Sequence, residues 1–247
     1  MISTEELMDD AVFAADGQRV DQLLQPNEPQ RRENADYVFR SDNAIAELKS
    51  LQQEVFTPAY HAKLSRLAHS WRDRRLIRVF GRAKLELRRL PAACQLEWLR
   101  LLTLPLQTKV IAKANRQIER TKKQVNLPDA KGIVLLANDG NSSFEPYNLV
   151  VLVSQILKKM HPDGSPQYSS IHAVSFLSAN LPISSPALPT PAFWWLNGHR
   201  PSSTEKVSKL LQKLETAWYA QLSRRVGYEI PRVLLREDAL ENLSFLN

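Results

Sequence analysis

Three residues in one short stretch have the types and the spacing for phosphodiester chemistry: Asp36, Glu47 and Lys49. They lie in Asp36-Tyr-Val-Phe-Arg-Ser-Asp-Asn-Ala-Ile-Ala-Glu47-Leu48-Lys49, which reads as two β-like runs joined by a turn at Ser41-Asp42-Asn43. Residues two apart in a strand share a face, so Glu47 and Lys49 point the same way. A hairpin with its loop at Ser41-Asp42 sets Asp36 opposite Glu47, and a loop at Asp42-Asn43 sets it opposite Lys49. Either register gathers the three side chains on one face, whereas a slip of one residue sends Asp36 to the other. Two carboxylates, with the Leu48 backbone carbonyl, could hold Mg²⁺, or Mn²⁺ in its place, and leave coordination positions for water and a phosphate oxygen. Such a cation acidifies bound water and neutralises charge at phosphorus, while Lys49 is placed to steady the water or the developing negative charge.

The elements that must position these groups follow from patterning. A helix is expected over 3–15, capped by Ser3 or Thr4, with Glu5 and Glu6 in the first turn where the helix dipole favours acids. A polar loop over 25–34 precedes the two strands. From about 58 to 105 the pattern is helical and basic, broken at Pro91 and Pro105, and a separate helix is expected over roughly 107–125. Lys131–Ala137 is an apolar run that reads as a strand buried on both faces. Asn138-Asp139-Gly140-Asn141 is a turn signal. A helix from Pro146 to about Met160, a strand over Ile171–Ser178, a proline-rich connection over 182–191 and a last helix over 204–225 complete the chain. This order indicates an α/β domain, a mixed central sheet flanked by helices.

The acid on one strand and the Glu47-Leu48-Lys49 triplet on the next resemble the PD-(D/E)XK, or restriction-endonuclease-like, nuclease superfamily. The resemblance extends by element order over roughly residues 3–180, with the basic helices at about 58–105 as an insertion and about 193–247 as a C-terminal helical extension of a single 1–247 domain. It implies a magnesium-dependent nuclease, a hydrolase with Asp36, Glu47 and the Leu48 carbonyl as metal ligands and Lys49 as the catalytic cation. Gln117, on the helix after the triplet, corresponds to a Gln or Lys that reaches the site in the superfamily. Glu6 would add an acid from the first helix, in competition with Glu5 and Asp9. Ala35 departs from the family pattern, standing where a proline precedes the first acid.

Charge distribution points to a polyanion partner. Residues 63–123 hold 17 Lys/Arg and four acids, a net +13 in a chain whose total is +7, so the remainder is −6. Lys109, Lys113, Arg116, Arg120 and Lys123 form one helical stripe, suited to following a phosphate backbone, and Ile111, Ala114, Ile118 and Val125 form the opposite one. DNA is the expected polymer, and cutting both its strands would require two sites, hence a homodimer. One rival reading is a catalytically silent nucleic-acid-binding or regulatory protein on the same fold. Another is an interaction module whose basic helices take an acidic partner.

The remaining chemistry-bearing residues have simpler readings. His61, His69, His161, His172 and His199 lack zinc spacing. Phe193-Trp194-Trp195 reads as core ahead of a base-stacking platform, and Cys94 as a small buried hydrophobe. The seven glycines form no phosphate loop. The lone cysteine, the acidic start and the lack of a membrane-length apolar run lead to the expectation of a cytoplasmic protein without membrane attachment.

Overall fold

The structure, a computed structural model, describes residues 2–24, 34–52, 57–78, 86, 89–138, 146–185, 188–199 and 205–230. It is an α/β fold with a mixed, open six-stranded sheet in the order β1 to β6 and helices on both faces. In chain order the elements are α1 (Thr4–Ala14), β1 (Gln18–Arg19), α2 (Val20–Leu23), β2 (Tyr37–Phe39), β3 (Ala44–Leu51), α3 (Pro58–Asp73) and α4 (Ala92–Pro105). A π-helical turn (Leu106–Ile111) leads into α5 (Ala112–Gln124), followed by β4 (Lys131–Asn138), α6 (Pro146–Leu157), β5 (Ile171–Ser185), β6 (Leu188–His199) and α7 (Glu205–Val226). Strands β1 to β3 pair antiparallel, β3–β4 and β4–β5 parallel, and β5–β6 antiparallel.

Alternation along the strands divides the core in two. Val38, Ile45, Val134, Leu136, Val174 and Phe176 point to one face and pack with Ala114 and Ile118 of α5 and with α6. Tyr37, Phe39, Ala46, Ile133, Leu135 and Leu177 point to the other, beneath α1 and α7. Strand β4 is buried along almost its whole length because helices cover both its faces.

Local chemistry starts and stops the elements. The Ser3 hydroxyl accepts from Glu6 N and caps α1, and Thr57 caps α3 ahead of Pro58. Asn43, at φ 50°, closes the β2–β3 turn in the left-handed region that asparagine tolerates. At Gly132 a Cβ would stand 2.0 Å from the Ser170 carbonyl oxygen and 2.6 Å from Ile118 Cγ2. Absence of a side chain there lets α5 settle directly on the sheet.

Three expectations need correcting. Pro105 does not separate two helices: α4 runs through it into the π-helical turn and on into α5. Proline lacks an N–H, and the wider turn accommodates that loss while Leu106 and Ile111 are buried. The 182–191 stretch is not a connection, because β5 continues to Ser185 and β6 begins at Leu188. Phe193–Trp195 therefore lies in a strand, and the C-terminal helical region starts only at Glu205. The β1–α2 unit had no counterpart in the expected elements. Residues 25–33 of the expected loop, 139–141 of the expected turn and the chain after 230 lie outside the described residues.

Candidate functional site

The β2–β3 ladder pairs Tyr37 with Ala46, Val38 with Ile45 and Phe39 with Ala44. Continued by one residue, this register sets Asp36 opposite Glu47, the first of the two expected alternatives. Asp36 shares the side of Val38, and Glu47 and Lys49 share that of Ile45, so all three project toward α5. Helix α5 in turn anchors the start of β2. Thr121 Oγ1 accepts from Ala35 N at 2.8 Å, and Gln117 Nε2 donates to the Asn34 carbonyl at 2.9 Å. These two residues are four apart on α5 and fall on one face.

Gln117 also reaches the triplet. Lys49 Nζ donates to Gln117 Oε1 at 2.8 Å and pairs with Glu47 Oε1. Asp36 Oδ2 accepts from Leu48 N at 2.8 Å. In an extended residue the N–H and C=O leave the same strand edge, so the Leu48 carbonyl projects toward the side on which Asp36 lies. Asp36, Glu47, Lys49 and Gln117 are thus one connected cluster.

Its electrostatics are unbalanced. Glu47 is 1% exposed, and burial, followed by the neighbouring Asp36 carboxylate, pushes its pKa up to about 8 against the pull of Lys49. Burial also raises Asp36, opposed by the Leu48 N–H and by Lys49. Glu47 Oε2 is buried and receives no hydrogen bond among the described residues; the group beside it is another acceptor, the Asp36 carboxylate. Two carboxyls stand side by side with no donor for Glu47 Oε2 among the described residues, an arrangement that a shared proton or a cation would complete. The donor set is all oxygen, which suits Mg²⁺ or Mn²⁺. Among the described residues no third His, Cys, Asp or Glu joins the pair, so any bound cation would keep positions open for water and substrate.

The cluster lies beside open space. Asp36 and Leu48 border a groove of about 450 Å³ with Ser3, Glu5, Tyr37 and Gln52. Asp36 also borders a smaller recess of about 140 Å³ with Arg19, Asp21 and Asn34. Both polar atoms of the buried Asn34 carboxamide lack partners among the described residues. Asn34, Arg19 and Thr121 escaped the sequence reading, because a single asparagine after a polar loop and a threonine within a helix carry no spacing signal.

Glu6 is not part of this cluster: its carboxylate meets Arg225 of α7 at 3.3 Å. Asp9 accepts from Tyr37 Oη at 2.9 Å and from Arg19 at 2.8 Å. Glu5, facing the larger groove, is the acid of α1 nearest the site's open side. Of the basic stripe, Lys109, Lys113, Arg116 and Lys123 are exposed and Arg120 is half-buried, while Ile111, Ala114, Ile118 and Val125 are buried opposite them. Lys123 pairs with Glu119 one turn back, at 3.5 Å. Trp195 packs on Trp218 at 5.6 Å between ring centres, as core, and Cys94 is buried. His172 Nδ1 accepts from Gly132 N at 3.2 Å, a role that supports a strand end. Among the described residues no helix is long and apolar enough to cross a membrane. Compared with models of protein families, with curated proteins and with solved structures, the chain matches none.

Proposed function

We propose that this chain is a Mg²⁺-dependent phosphodiesterase of nucleic acid, DNA foremost, built on a restriction-endonuclease-like core with α3 and α4 as a basic helical insertion. One observation carries the reading: a buried carboxyl, Glu47, with one oxygen unpartnered among the described residues, and a half-buried one, Asp36, share a sheet face with a lysine that a helix-borne glutamine holds in place. Asp36, Glu47 and the Leu48 carbonyl would hold the cation, Mg²⁺ or Mn²⁺. When bound, it supplies Lewis acidity, lowering the pKa of a coordinated water and neutralising charge on the phosphate. Lys49, held by Gln117 and paired with Glu47, would present an ammonium to the attacked phosphate. Asp36, held by the Leu48 N–H, keeps one carboxylate oxygen fixed relative to β3. The stripe Lys109, in the π-helical turn, and Lys113, Arg116, Arg120 and Lys123, on α5, supplies the phosphate-tracking surface. The proposed setting is the cytoplasm, and a homodimer would bring two sites to a duplex.

Binding without cleavage is the second reading. It is favoured by the internal pairing of the cluster, in which Asp36 serves Leu48 N and Lys49 serves Glu47. Incubation with plasmid DNA, single-stranded DNA and RNA, each in Mg²⁺, Mn²⁺ or EDTA, separates the two. Metal-dependent cleavage is expected for DNA. Salt-sensitive binding with no cleavage in any metal would leave the chain a nucleic-acid-binding protein.

A further inference from the structure

Away from the carboxylate cluster, a shallow, open groove of about 540 Å³ runs between α3 and α4. One wall is Lys63, Arg66, Leu67 and Ser70, and the other is Glu97, Arg100, Leu101 and Leu104. Each set has the spacing i, i+3, i+4, i+7, so each helix turns one continuous face to the groove. Leucines form the floor. Leu67 and Leu101 are only half-buried and Leu104 is 57% exposed, leaving this apolar surface uncovered. Three cations, Lys63, Arg66 and Arg100, stand along the rim. The one acid, Glu97, is already engaged: it accepts from Trp71 Nε1 at 2.8 Å and from Arg74 at 2.9 Å. Those bonds, with the Trp98–Tyr60 hydrogen bond at 2.8 Å, fix the two helices against each other, so the groove is preformed.

We propose that this groove docks an amphipathic, acidic helix of a partner protein, laid between α3 and α4 as a third helix. Its leucine-type residues would cover Leu67, Leu101 and Leu104, and its carboxylates would meet the rim cations. The chemistry distinguishes this occupant from others. A nucleic-acid backbone offers nothing apolar to a leucine floor, and among the described residues no aromatic side chain lines the groove to stack a base. A membrane surface seats a broad apolar face with basic flanks, whereas this one is a narrow leucine strip between two helices. The proposal does not depend on the hydrolytic reading, since the groove and the carboxylate cluster share no residue.

The test uses the full chain and a fluorescent synthetic helical peptide with leucines at i, i+4 and i+7 flanked by glutamates, against a scrambled peptide of the same composition. Anisotropy titration is expected to show at least tenfold tighter binding of the amphipathic peptide, weakening as salt rises. Leu104→Glu changes an exposed position and leaves the fold intact; it is expected to weaken peptide binding about tenfold or more. Lys206→Ala, at an exposed position of α7, is expected to leave peptide binding unchanged. Equal binding of both peptides, or an unaltered affinity in Leu104→Glu, overturns the proposal. So does a Leu104→Glu effect that falls instead on binding of duplex DNA or of phosphatidylserine vesicles, or on self-association in sedimentation.

Discussion

Replacing Glu47 by Gln isolates the electrostatic imbalance at the centre of the proposed site. The side chain keeps its shape, and one amide oxygen still accepts from Lys49 Nζ. The amide nitrogen takes the place of Oε2, which has no donor among the described residues, in a side chain whose charge the neighbouring Asp36 carboxylate opposes. In the folded wild type, Glu47 titrates at about 8, above its ordinary 4.5. Between those values the folded state holds a proton that the unfolded chain has released, so wild-type stability falls as pH rises through that window. At about 1.4 kcal/mol for each pH unit of separation, the loss is on the order of 3–5 kcal/mol once pH exceeds 8. Urea unfolding in EDTA, followed from pH 4.5 to 8.5, should show that decline in the wild type and a much flatter profile in Glu47→Gln. The variant should therefore be the more stable protein at pH 8. Mg²⁺ should reverse the order of effects: at a hundredfold excess over its dissociation constant it restores about 2.7 kcal/mol to the wild type and little to the variant. A wild-type advantage at pH 8 in EDTA, or a difference between the two proteins that does not vary with pH, would refute the reasoning.

Asp36 has a structural bond that Glu47 lacks, so its substitutions should divide. Asp36→Asn retains an acceptor for Leu48 N, whereas Asp36→Ala leaves that N–H without one and should cost about 1–3 kcal/mol more in urea unfolding; both should abolish Mg²⁺-dependent cleavage in a plasmid assay. Gln117→Ala removes the hold on Lys49 and on the Asn34 carbonyl, and should lower cleavage about 10- to 100-fold while DNA affinity, measured in EDTA, stays the same. Alanine at Lys109, Lys113, Arg116 and Arg120 should weaken duplex binding and flatten its salt dependence by roughly 0.9 log units for each phosphate left without its cation; an unchanged slope in filter binding would return the stripe to an ordinary solvated helix face. Gly132→Ala drives a methyl into the Ser170 carbonyl and Ile118 and should destabilise the fold by about 1–3 kcal/mol in thermal melts.

Much of the cluster's layout is local and therefore legible in the residues themselves. The strand period of two puts Glu47 and Lys49 on one face whatever else the chain does, and the 3.6-residue period of α5 separates its cations from Ile111, Ala114, Ile118 and Val125. The run Lys131–Ala137 declares a strand buried on both faces because after Lys131 no polar residue offers a side to water. Choosing between the two hairpin registers needed long-range contacts, since both satisfy the same alternation. In the structure Asp36 faces Glu47, and Thr121 and Gln117 of α5 hold the start of β2 from more than 80 residues away. Prolines misled twice, each time by signalling a break where an element continues. Pro105 signals a helix end by its missing N–H, yet burial of Leu106 and Ile111 carries the helix through as a π turn. Pro189 and Pro191 signal a connection, yet they lie in β6, the last strand of the sheet, and an edge strand can leave an N–H position unpaired on its outer side. Glu6 was drawn from the site by Arg225, a partner 219 residues distant that no spacing rule could supply. The raised pKa of Glu47 also belongs to the tertiary structure alone, because it takes the covering helix and the apposed Asp36 to remove that carboxylate from water.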